Sequence, residues 1–71
     1  MLTEAERLVV LFALSDGITL NRTELDKLRI ELLTWTYEHP GYSAKKVMLM
    51  DRISIVTKQM GSRQDLYEKL R

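Results

Sequence analysis

The chain has 71 residues, with eleven Lys and Arg against ten Asp and Glu, a net charge of +1 and no cysteine. Such a length makes one domain near the lower limit at which an apolar core alone gives a stable fold, worth about 3 to 5 kcal/mol. The lack of cysteine excludes a disulfide framework, a thiolate metal site and a Cys nucleophile.

The first element opens at Thr3, three residues before Glu6, the spacing of a reciprocal capping box. It is expected to run as a helix from Glu4 to Leu14 and to stop at a Ser15-Asp16-Gly17 turn, with Ile18 and Leu20 packing against the core. Within it Leu8 to Leu14 is apolar without interruption. Glu4 and Glu6 stand where a signal peptide needs basic residues, and no small-residue cleavage site follows. The run is also far shorter than the roughly 20 apolar residues of a membrane span. A cytoplasmic chain of bacterial or phage style with no membrane partner is the expectation, and the Asn21-Arg22-Thr23 sequon has no secretory route to give it meaning.

Asn21 and Glu24 repeat the capping signature and open a second helix, which Pro40 and Gly41 end near Glu38 or His39. Ser43 is the expected N-cap of a third helix reaching Met60, with Gly61 as its left-handed cap. Ser62 and Asp65 start a short fourth helix through Leu70. Val, Ile and Thr do not alternate, so no strand is expected.

The apolar stripes define the expected packing. Leu49, Ile53, Val56 and Met60 line one face of the third helix. Leu25, Leu28, Leu32 and Trp35 form one stripe of the second, with Ile30, Leu33 and Tyr37 beside it. Ala5, Leu8, Val9 and Phe12 share a face of the first, while Val10, Leu11 and Leu14 spread around the rest. A helix that is apolar all round must be covered all round. These features predict an all-α fold, residues 1–71 as a single helical domain: a compact bundle of three main helices plus a short C-terminal helix, in a dimer. The expected protein interface comprises Val10, Leu11, Leu14, Tyr42, Met48 and Met50, and charged replacements at Val10 or Leu11 are expected to abolish assembly. Charge is uneven along the chain: residues 1–40 carry a net −3 and residues 41–71 a net +4, a polarity that can steer an acidic partner or draw two copies head to tail.

Nothing in the sequence assembles a catalytic or cofactor site. His39, the single histidine, has no second group placed to work with it and suits a helix C-terminus. The carboxylates sit on polar helical faces, no glycine-rich phosphate loop exists, and the serines stand at caps. No enzyme activity, cofactor or metal is therefore expected. Ser15-Asp16-Gly17-Ile18-Thr19, with Glu24 following, resembles the helix-Asp-Gly-helix turn of calcium-binding EF-hands and of TerB-like helical domains, but an EF-hand register puts Phe12, Leu14 and Thr23 at ligand positions, which cannot build an oxygen cage, so the segment is read as an ordinary turn. Gly41-Tyr42-Ser43-Ala44-Lys45-Lys46-Val47 resembles the turn and recognition-helix start of helix-turn-helix DNA-binding proteins. That resemblance implies a dimeric DNA-binding regulator in which Ser43 caps the helix and Lys45 and Lys46 meet nucleic acid. Tyr37 in place of a small residue, Pro40 and the length of the preceding helix depart from that pattern. The leading expectation is a non-enzymatic adaptor, regulator or inhibitor that forms a homodimer and binds a larger protein.

Overall fold

The computed structural model describes residues 1–41 and 43–71 and contains two helices, α1 (Glu4–Glu38) and α2 (Ala44–Leu70). They fold back on each other as an extended hairpin measuring 53 × 15 × 13 Å, its long dimension matching the ~52 Å of a 35-residue helix. The expected bundle of three main helices and a short fourth is thereby overturned: the first two expected helices are one, and so are the last two.

The reason lies in phase. On α1 the positions facing α2 are Arg7, Leu11, Leu14, Ile18, Asn21, Leu25, Leu28, Leu32 and Trp35, all buried or half-buried. Their spacing alternates four and three without a slip, through the very residues read as a turn and a cap. On α2 the facing positions are Lys46, Leu49, Ile53, Val56, Met60, Arg63, Tyr67 and Leu70, again in unbroken alternation. Two helices repeating every 3.5 residues can share a straight seam over their whole length, as in an antiparallel coiled coil. A break at Gly17 or Gly61 would forfeit that seam, whereas a glycine inside a helix costs only about 1 kcal/mol. Gly61 therefore does not cap, and positive φ among the described residues occurs at Gly41 alone, at 102°.

The chain reverses between His39 and Ser43. The backbone N–H of His39 donates to the Trp35 carbonyl at 2.8 Å, Pro40 bars continuation, and Gly41 takes the left-handed conformation that side chains resist. At the opposite end the Thr3 and Glu6 capping box is formed in both directions, at 3.1 and 3.0 Å. The Arg7 guanidinium reaches across to the Leu70 carbonyl at 2.9 Å, placing a cation on the C-terminus of α2 where the helix dipole favours it.

The charge asymmetry is partly used inside the hairpin. Acidic α1 meets basic α2 along one edge of the seam through Glu24–Arg52 at 2.8 Å and Glu31–Lys45 at 3.4 Å. Exposed pairs of this kind contribute about 0.2 to 1 kcal/mol each and chiefly fix the register.

Candidate interaction surface

The core that the seam provides is small. Leu25, Leu49 and Val56 are the buried apolar side chains among the described residues, and Asn21 is buried with them. Asn21, expected to cap a helix, instead accepts a hydrogen bond at its Oδ1 from Arg63 Nη1 at 2.6 Å. The same nitrogen donates to the Gly17 carbonyl at 3.0 Å. A Cβ at Gly17 would lie 3.1 Å from the Arg63 guanidinium, so this glycine makes room for the arginine rather than for a turn. Every buried polar side-chain atom among the described residues has a partner.

At the turn, Trp35 organises a second cluster. Its Nε1 donates to Ser43 Oγ at 3.0 Å, its ring stacks on His39 with centroids 3.9 Å apart, and Lys45 Nζ lies 4.4 Å from the ring centroid. Ser43 stands at the N-cap of α2 as expected, but its side chain makes no capping hydrogen bond there and serves Trp35 instead. Lys45 is shared between Trp35 and Glu31, and Lys46 is half-buried at the start of the seam. His39 is thus a stacking partner at a helix end, without an acid or nucleophile bonded to it among the described residues.

The residues expected to form an interface separate into two groups. Leu11 and Leu14 face α2 and Val10 sits half-buried at the seam's edge, so all three support the hairpin itself. Met48 and Met50 are turned outward, 70% and 53% exposed. Met48 and Ile55, one heptad apart, edge a shallow groove of about 480 Å³ shared with Leu28, Glu31, Lys45 and Arg52. Tyr42 lies outside the described residues.

Sequence reasoning placed Ile30, Leu33 and Tyr37 in a broad second stripe and missed that they continue a longer one. Leu2, Ala5, Val9, Phe12, Asp16, Thr19, Thr23, Asp26, Ile30, Leu33 and Tyr37 follow one another at alternating three- and four-residue steps. This outer stripe lies nearly opposite the seam on α1 and is exposed throughout. It is apolar at both ends and polar in the middle. Even there the Thr19 and Thr23 hydroxyls donate to the Ser15 and Thr19 carbonyls at 3.1 Å, so their hydrogens are turned onto the helix backbone. Leu20 flanks the midpoint and is also exposed.

No group of three or more His, Asp or Glu among the described residues is placed to hold a metal ion, and no helix is long and apolar enough to cross a membrane. Searches against family models, curated proteins and solved structures find no match to this chain.

Proposed function

We propose that the chain is a non-enzymatic protein–protein interaction module, a small adaptor, regulator or inhibitor that acts by laying apolar helical surface against other protein surfaces. One observation carries the reading: among the described residues fourteen large apolar side chains are exposed against three that are buried. Scattered exposed apolar residues are ordinary, but contiguous stripes of them on a small chain mark contact surfaces. The groove beside Met48 and Ile55 suits an amphipathic helix of a larger protein. A flexible thioether adapts to the incoming side chains, and Glu31, Lys45 and Arg52 provide a rim of both signs.

Photo-crosslinking residues introduced at Met48, Ile55 and, on the outer surface of α2, Lys58 test this in cells of the native host. The expected result is one discrete adduct with another protein from Met48 and Ile55, none from Lys58, and loss of the Ile55 adduct on adding Met48→Glu. Equal labelling from all three positions, or none from any, overturns the reading.

A further inference from the structure

The outer stripe of α1 is self-complementary, and we infer that its occupant is a second copy of this chain, packed antiparallel through α1 about a two-fold axis beside Leu20. This rests on the interaction reading above and assigns the α1 face of it. In an antiparallel heptad seam the a-type positions of one helix layer with the d-type positions of the other, so the two residue numbers in each layer share a constant sum. For the outer stripe one register matches apolar with apolar throughout. Ala5 meets Tyr37 of the other copy, Val9 meets Leu33, and Phe12 meets Ile30, each layer occurring twice by symmetry.

The middle of the stripe fits the same register. Thr19 meets Thr23 of the other copy, with both hydroxyls already bonded to their own helix and their methyl groups left for contact. Leu20 meets its own counterpart across the axis, which accounts for a leucine 69% exposed in the middle of a polar stretch. Asp16 comes opposite Asp26 of the other copy, beside that copy's Lys27 and Arg29, so the layer is neutral as a whole. The two Arg22 side chains flank the axis, where their long stems can carry the charges into water. Shifting the register by one heptad puts Val9 on Asp26 and Phe12 on Thr23 and loses the match. A parallel pairing keeps apolar on apolar, but it aligns the two helix dipoles side by side, whereas the antiparallel pairing opposes them.

The resulting assembly is four helices in a row, with the two α1 helices in the centre and covered on both faces. The groove beside Met48 lies between α1 and α2 of each hairpin, apart from the outer stripe, and stays available, so the chain is a bivalent module. That arrangement covers much of the uninterrupted apolar run near the N-terminus: Leu11 and Leu14 face α2, while Val9 and Phe12 face the second copy.

The test is sedimentation equilibrium of the full chain and of two variants, Phe12→Lys and Ile30→Glu. Wild type is expected at twice the 8.3 kDa chain mass, and each variant alone at the single-chain mass, its self-affinity lowered on the order of 100-fold or more by charges in apolar layers. Mixed one to one, the variants are expected to regain the dimer mass, because each mixed dimer has one layer in which the introduced lysine faces the introduced glutamate and one native layer of Phe12 on Ile30. Both positions are exposed in the hairpin, at 73% and 65%, so circular dichroism of the variants is expected to stay helical. A variant that loses its helix alone and regains it on mixing supports the inference equally. A wild-type monomer at all concentrations, or variants that fail to rescue each other, overturns it. The Met48 and Ile55 crosslinks would be untouched by that failure, which separates it from failure of the interaction reading.

Discussion

The half of the hairpin around the middle of the seam and the half toward the termini hold together by different means. In the first, Leu25, Leu49 and Val56 are fully covered and two ion pairs run along the edge. In the second, Val10, Leu11, Leu14, Met60 and Tyr67 are only half-covered, and two arginines tie the helices: Arg63 to Gly17 and Asn21, and Arg7 to the end of α2. Apolar contact works where three or four seam residues close over one another. Where coverage thins, long cations span the gap, burying their stems while their heads bond to carbonyl and amide oxygens.

The largest effect that tests this contrast is expected from Leu25→Ala. Leu25 is 2% exposed, and truncating a buried leucine costs about 2 to 5 kcal/mol, comparable to the whole stability of a chain this size. Leu11→Ala, on the half-covered seam, is expected to cost less than half as much. Urea titrations followed by circular dichroism read both, and equal losses would erase the distinction between the halves. Arg63→Met comes next: it leaves the buried Asn21 amide oxygen without its donor, a loss of about 1 to 3 kcal/mol. Asn21→Leu added to Arg63→Met removes the orphaned group and is expected to recover most of that loss. Such a recovery marks the pair as a matched unit.

Smaller still is the difference between two glycines. Gly61 has open space where a Cβ would stand, so Gly61→Ala is expected to stabilise by about 0.5 to 1 kcal/mol through helix propensity and the unfolded chain. Gly17→Ala should show no such gain in the same thermal melts, because the guanidinium of Arg63 must give way and it is held by two hydrogen bonds. The smallest effect is that of pH on the capping box. Hydrogen bonds from the Thr3 backbone and side chain hold the Glu6 carboxyl below its ordinary pKa. Its contribution is therefore complete above the ordinary glutamate range and is lost as pH falls through the lowered folded value. Melting temperature followed across acid pH should show that loss in the native chain and lack it in Glu6→Gln.

Much of this architecture could be read before any coordinates, and the errors have a common origin. The apolar stripes Leu25-Leu28-Leu32-Trp35 and Leu49-Ile53-Val56-Met60 are the two walls of the seam, and the Thr3 cap and the Pro40-Gly41 reversal stand where expected. Asp16-Gly17, Asn21 and Gly61-Ser62 misled because capping and turn preferences judge a residue by its neighbours in sequence. Asn21 and Gly17 are set by Arg63, more than forty positions away. The decisive sign was available all the same: the four-three spacing crosses those residues in phase, and an interrupted helix has no reason to keep phase. The candidate site was only half visible for a similar reason. Met48 and Met50 were expected outside and are outside, whereas Phe12, Ile30 and Leu33 were absorbed into broad faces. Following the second spacing from Leu2 to Tyr37 joins them.

The single tryptophan sits at one extremity of a rod, stacked on His39, bonded to Ser43 and close to the Lys45 ammonium. Its emission is therefore a gauge of the reversal alone. A chain whose termini have separated but whose bend persists keeps a native indole signal, so fluorescence and ellipticity are expected to part company during unfolding, with ellipticity falling first. For this molecule a lone intrinsic fluorophore reports how the rod is hinged and is blind to how far it has unzipped.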